Sequence, residues 1–165
     1  MTYLPVDAGM IGIIPLAAIN RSEADGAWPA GGIVVRVQGG RYLNLHYSDG
    51  RITISADLNG SIPVLDDTDF WVGDLCYVLE SNFPDDKNKN GKEPIGYWAA
   101  CERTHETPRY GDCFMKPFRL SDGAAGLVSR TQWGDGSYPA DVHVEDGFAV
   151  RITVETGDAV EDEEE

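Results

Sequence analysis

The stretch IVVRVQGGRYLNLHYSDGRITIS (residues 33–55) decides the fold class. Apolar and polar residues alternate over residues 43–47, which is the two-residue period of a strand with one buried face. Turn residues separate the apolar runs at Gly39-Gly40 and again at Ser48-Asp49-Gly50. Such glycine-containing pairs are typical of two-residue hairpin turns. The stretch therefore predicts a three-stranded antiparallel meander.

Short apolar runs and turn residues alternate along the rest of the chain in the same way. Further strands are predicted at residues 6–15, 70–79, 95–103, 127–132, 141–145 and 148–154. The last two are joined by Asp146-Gly147, a preferred pair for a hairpin turn. An irregular aromatic segment, residues 107–121, is expected to cover one end of the core. Because no long stretch has the period of a helix, we predict one all-β domain over residues 1–154, a twisted antiparallel barrel or sandwich of about eight strands.

Charge is the strongest bulk property of the sequence. Lysine and arginine total 13 against 28 aspartate and glutamate residues, a net charge of −15. Seven acids and no base follow Val154, which leaves −8 on residues 1–154 and predicts a disordered acidic tail over residues 155–165. Such a charge repels phosphate, so we predict binding to neither nucleic acid nor an anionic membrane. It favours a basic protein partner, or serves solubility alone.

The cysteine count and the N-terminus predict a cytoplasmic protein. Cys76, Cys101 and Cys113 are an odd number of cysteines, and no basic segment followed by an apolar run opens the chain. No run approaches the ~20 apolar residues that span a bilayer. We therefore expect reduced thiols and no membrane association.

One polar loop has the spacing of the first half of a calcium-binding loop. Asp86, Asn88 and Asn90 could supply alternate oxygen ligands before Gly91. The position that should carry a bidentate acid is Tyr97, and lysines interleave with the oxygen donors. Since Asn-Gly is also the signature of an ordinary turn, we predict a turn rather than a calcium site.

Cys101, His105 and Cys113, together with Cys76, contain the ligand types of a zinc site. Their spacing matches no paired-cysteine zinc motif, and two of the cysteines lie within predicted strands. A Cys–His nucleophile pair requires a proximity that no sequence feature indicates. His46 lies on the polar face of its predicted strand, where a solvated histidine is expected. We predict no metal and no cofactor.

The most distinctive loop is WGDGSYP (residues 133–139). Two glycines flank Asp135 and allow the backbone to take positive φ values that other residues resist. Trp133 on one side and Tyr138-Pro139 on the other would hold this turn against a neighbouring surface. The loop is predicted to be either a rigid structural corner or a presented binding site.

This loop, followed by a strand, an Asp-Gly turn and a valine-rich strand, resembles the C-terminal part of DUF4241-type proteins. These are uncharacterised bacterial and phage proteins with a Gly-Asp-Gly-x-Tyr-Pro signature. Residues 6–15 and 72–78 are similar to segments of related small bacterial and phage proteins. The resemblance implies a bacterial or phage origin and no established activity.

Three acids, Asp7, Asp74 and Asp135, lie close to glycines in these segments. If the fold brings them together, they could bind a metal or act as an acid–base pair. The alternative is that each accepts backbone N–H bonds in its own turn, because aspartate beside glycine is foremost a turn sequence. With Trp133 and Tyr138, these acids are the predicted binding residues.

We therefore predict a non-catalytic acidic binding protein, an inhibitor or accessory factor of bacterial or phage origin that engages a basic protein partner. Two other classes stay open. A hydrolase using clustered aspartates would bring the three acids together in a pocket. A phage structural protein would form a symmetric assembly.

Overall fold

The computed structural model of the chain describes residues 2–19, 31–79, 87, 93–121 and 123–157. The strands are β1 (Thr2–Val6), β2 (Met10–Pro15), β3 (Gly32–Val37), β4 (Arg41–Ser48), β5 (Arg51–Asp57), β6 (Ile62–Val64), β7 (Thr68–Gly73), β8 (Asp112–Phe114), β9 (Phe118–Arg119), β10 (Ala125–Arg130), β11 (Gly136–Glu145) and β12 (Phe148–Glu155). The described helices are α1 (Gly96–Thr104) and the single-turn 3-10 helices Leu16–Ala18 and Leu75–Tyr77. Within these ranges, no helix is long and apolar enough to cross a membrane.

The strands form two antiparallel sheets, which confirms the predicted all-β class. Sheet 1 has the order β1-β11-β12-β5-β4-β6, and β8 also pairs with β4. Sheet 2 has the order β3-β7-β2-β10-β9. Both sheets end in edge strands over the described residues, so the architecture is an open sandwich rather than a closed barrel.

The two sheets are buried to different extents. Their facing sides share one apolar cluster, to which β2 contributes Ile11 and Ile13 and β4 contributes Leu45. The other side of sheet 2 holds a second cluster, in which Met10 and Ile14 pack with α1. A sheet covered on both faces has nearly continuous apolar strands, whereas a half-covered sheet alternates. This difference explains why β4 alternates and β2 does not.

The predicted meander is half correct. The β4–β5 hairpin is confirmed, with positive φ at both turn residues, Asp49 (46°) and Gly50 (92°). The predicted β3–β4 hairpin is wrong, because β3 pairs with β7 in sheet 2 while β4 lies in sheet 1. At the crossing, a Cβ on Gly39 would come within 2.8 Å of the Asp66 Cα atom. Gly39 therefore permits a close approach of two backbones, and Gly40 takes a positive φ (90°) in a turn that does not form a hairpin.

Three other predicted strands differ from the structure. The run at residues 6–15 is split at residues 7–9 into β1 and β2. The run at residues 70–79 is a strand only to Gly73 and then forms a 3-10 helix. Residues 95–103 were predicted as a strand and form α1, whose buried alanines pack on sheet 2. Short apolar runs do not distinguish a strand from a buried helix, which accounts for this error.

The C-terminal part of the chain forms the predicted β11–β12 hairpin, with positive φ at Asp146 (55°) and Gly147 (86°). The packed structure continues beyond residue 154, because β12 includes Glu155 and Thr156 is buried. The Thr156 hydroxyl donates to the Gly50 carbonyl oxygen at 2.5 Å. Residues 158–165 of the predicted acidic tail lie outside the described residues.

Candidate functional site

Two connections between the sheets run side by side at one corner of the sandwich. The first connection, residues 7–9, joins β1 in sheet 1 to β2 in sheet 2. The second connection, residues 131–135, joins β10 in sheet 2 to β11 in sheet 1. They are adjacent because β1 pairs with β11 and β2 pairs with β10. The Gly9 carbonyl accepts a hydrogen bond from the Thr131 N–H at 2.9 Å, which ties the two connections together.

Asp74 stabilises the first connection through hydrogen bonds to its backbone. Its side chain is completely buried at the end of β7. Oδ2 accepts the backbone N–H groups of Asp7 at 2.9 Å and Ala8 at 2.6 Å, and Oδ1 accepts that of Cys76 at 3.0 Å. The last contact caps the 3-10 helix Leu75–Tyr77. Charge-assisted bonds from three N–H groups compensate the buried carboxylate, so Asp74 is a structural anchor.

The Asp7 side chain is exposed and makes a different contact. Its Oδ2 atom accepts the Tyr77 hydroxyl at 2.5 Å. The bond favours the protonated phenol and, with a smaller effect of burial, raises the pKa of Tyr77 well above its usual value. The structure thus brings Asp7 and Asp74 together, but through the Asp7 backbone rather than as two facing carboxylates.

Asp135 and Tyr138 lie on opposite sides of the second connection. Asp135 is exposed to solvent. Tyr138 is only 2% exposed, packs in the core between the sheets and donates its hydroxyl to the Gly134 carbonyl at 3.0 Å. Burial is the main cause that raises the pKa of Tyr138. Tyr138, predicted as a binding residue, therefore belongs to the core.

The Trp133 side chain is held by one hydrogen bond and is otherwise partly exposed to solvent. Its indole Nε1 donates to the Gly157 carbonyl at 2.6 Å, yet 47% of the residue is exposed. The adjacent Gln132 N–H donates to the Thr156 hydroxyl at 3.1 Å. The second connection is thereby fastened to the end of β12. The sequence beyond Gly157 has six acids in eight residues.

Two further aromatic residues, Tyr110 and Phe114, are exposed. They are 66% and 65% exposed, whereas other side chains of residues 107–121 are buried in the core, as expected for this segment. Tyr110 and Trp133 line the same cavity of about 270 Å³. Phe114 stacks on His46 with ring centroids 4.5 Å apart, so His46 is not simply solvated. Sequence reasoning did not single out these two aromatics, because the alternation around β8 is too short to show which side faces the core.

The residues considered as zinc ligands are divided between the two clusters. Cys101 packs against the cluster between sheet 2 and α1, whereas Cys113 packs against the core between the sheets. Over the described ranges, no three histidine, cysteine or acidic side chains are close enough to hold a metal ion. The possible calcium loop around Asp86 lies outside the described residues.

Comparison with protein-family models, with curated proteins and with solved structures finds no significant match. The functional proposal therefore depends on the two connections of the corner and the side chains that they expose.

Proposed function

We propose that this chain is a non-catalytic binding protein that engages a basic protein partner through the exposed aromatic surface around Trp133. The surface consists of Trp133 and Tyr110, which line the same cavity and are each about half exposed or more. Large aromatic side chains held on a rigid support are the commonest hot spots of protein interfaces. The observation that carries the proposal is Trp133, whose indole is fixed by Gly157 while much of it remains in solvent.

Acidic groups lie beside these aromatic residues, although two arginines also line the cavity that they share. Asp135 follows Trp133 by two residues, and Asp112 follows Tyr110 by two residues. Asp49 is exposed and accepts the Gly111 N–H next to Tyr110 at 2.6 Å. Negative charge at the rim of an interface speeds association with a basic partner and disfavours acidic ones. The net charge of −15 acts in the same direction.

The aspartate arrangement favours binding over hydrolysis. Both Asp74 oxygens are occupied by backbone N–H groups, and Asp7 accepts a tyrosine hydroxyl. A general base or a metal ligand needs an oxygen that faces substrate or ion, and Asp74 is completely buried. The cytoplasmic location, the phage or bacterial origin and the likeness of residues 133–139 to DUF4241-type proteins stay predictions from the sequence.

The test is affinity capture from the native host with the whole chain as bait, followed by measurement of the affinity of the purified partner. Trp133→Ala is expected to weaken binding by about 2 kcal/mol or more, as for an aromatic hot spot. Its cost in folding free energy should be smaller, about 1–2 kcal/mol, because half of the indole is already in water.

Tyr3→Ala is the matched control, because Tyr3 is 60% exposed on β1 and belongs to neither connection. It should leave the affinity unchanged. Equal binding by wild type and Trp133→Ala, or a captured partner with an acidic surface, would contradict the proposal.

A further inference from the structure

A cavity of about 270 Å³ beside the second connection contains two arginines in an otherwise acidic protein. Arg109 and Arg130 both line it, together with Tyr110 and Trp133. Arginine and lysine total only 13 in the whole chain, so two at one small cavity are a local reversal of charge. The cavity therefore has a different electrostatic character from the surface around it.

Among the residues that the structure describes, no carboxylate forms an ion pair with either arginine. The ion pairs among the described residues involve Arg36, Arg51 and Arg103, together with two histidines. Arg130 donates one guanidinium N–H to the Thr107 carbonyl at 3.1 Å, which fixes its position without neutralising its charge. The guanidinium carbon of Arg109 lies 5.8 Å from the centre of the Tyr110 ring. Both groups can still accept an anion, and a planar guanidinium binds carboxylate and phosphate in a bidentate manner.

The walls of the cavity are suited to a flat ring. Trp133 is 47% and Tyr110 is 66% exposed, so both rings retain accessible surface. Aromatic side chains next to arginines stack with planar groups and favour ligands that are themselves flat. The volume is slightly below the range of about 300–1,000 Å³ typical of drug-sized pockets. It is therefore suited to a single ring with one acidic group.

The overall negative charge does not prevent such binding. At physiological ionic strength, charges separated by more than about 8 Å are largely screened. Two acids lie close to the segments that line the cavity: Asp49, in the β4–β5 turn, accepts the Gly111 N–H, and Asp135 is exposed on the second connection. An anion inside the cavity would be in contact with the arginines and farther from most of the acidic surface.

We propose that this cavity binds a small ligand that joins one planar ring to a carboxylate or phosphate group. The acid would bind between Arg109 and Arg130, and the ring would lie against Trp133 and Tyr110. Binding of this ligand does not depend on the proposed protein partner. It adds a small-molecule site to the same corner.

The experiment titrates the whole chain with phenyl phosphate, phenylacetate, inorganic phosphate and benzyl alcohol by isothermal titration calorimetry. The first two probes contain both parts of the proposed ligand, and the last two contain one part each. At least one ring-bearing anion should bind saturably and about tenfold more tightly than either fragment, because two kinds of contact are combined. Stronger binding of phenyl phosphate would identify a phosphate ligand, and stronger binding of phenylacetate a carboxylate.

Arg109→Gln is the most informative variant, because Arg109 is exposed and its loss should leave folding intact. It and Arg130→Gln should each weaken binding by about fivefold or more, as expected for a lost charge-assisted contact. Arg151→Gln on β12 is the matched control and should bind normally, since Arg151 is exposed and does not line the cavity. Absence of saturable binding by both ring-bearing anions, or equal binding by Arg109→Gln and wild type, would overturn the proposal.

Discussion

The two connections of the corner share one sequence feature and have opposite roles. Each contains an aspartate close to glycines, Asp7 in the first and Asp135 in the second. In the first connection, two backbone N–H groups donate to the buried Asp74 side chain. The second connection exposes Asp135 and Trp133 to solvent. One connection therefore holds the sandwich together, while the other presents side chains.

The difference depends on which backbone donors lie near each carboxylate. A buried carboxylate is tolerated only where hydrogen bonds replace its hydration. Asp74 meets that requirement because β2 and β7 pair and bring residues 7 and 8 to it across more than 60 residues of sequence. The aromatic residues in and after the second connection differ in the same way: Tyr138, in β11, pairs opposite Leu4 and lies in the core, whereas Trp133 precedes the strand and is exposed.

Tyr138→Ala should have the largest effect and tests the buried side of the comparison. The change leaves a cavity between the sheets and is expected to lower the free energy of unfolding by about 4 kcal/mol. Tyr138→Phe is the control: it keeps the ring, loses only the hydroxyl bond to Gly134, and should cost about 1 kcal/mol. Denaturant unfolding measures both. A loss below that of Trp133→Ala would show that Tyr138 is less important to the core than its burial indicates.

Asp74→Ala should follow, with a loss of about 3 kcal/mol, because it removes the acceptor of three part-buried N–H groups, those of residues 7, 8 and 76. Asp135→Asn is the matched change in the second connection and should alter stability by less than about 0.5 kcal/mol, as is usual at an exposed site. Thermal melts of the two variants compare the connections directly. Similar losses in both would remove the distinction between an anchoring and a presenting connection.

Tyr77→Phe should have a smaller effect than Tyr138→Ala or Asp74→Ala and tests how the first connection responds to pH. The hydrogen bond to Asp7 raises the pKa of Tyr77 in the folded state, so its stabilisation is complete below the usual tyrosine pKa of about 10 and is lost as the pH rises above it. At neutral pH the variant should lose about 1 kcal/mol.

The measurement is the free energy of unfolding between about pH 8 and pH 11, since the tyrosine titration begins in that range. Stability of the wild type should fall more steeply above pH 10 than stability of Tyr77→Phe, whereas the other tyrosines affect both proteins equally. Parallel curves would indicate that the bond to Asp7 contributes little in solution.

Much of the fold could be predicted from the sequence because part of its information is local. The Asp49-Gly50 and Asp146-Gly147 turns specify hairpins whose strands are neighbours in sequence, and both hairpins form. Two-residue alternation likewise predicts the strands of the half-covered sheet. The partner of β3 could not be predicted in this way, because Gly39-Gly40 has the composition of a hairpin turn although the chain there crosses to the other sheet.

By itself, the sequence determined the all-β class, the two hairpins and the strongly negative charge, since each depends on neighbouring residues or on composition alone. Only the tertiary structure decided that residues 96–104 form a helix, because its stability comes from packing on sheet 2 rather than from its own pattern. Only the tertiary structure assigned Asp74 to the fold, Trp133 to the surface and two arginines to one cavity. These roles depend on groups far apart in sequence, so no local pattern could separate an anchoring aspartate from a free one.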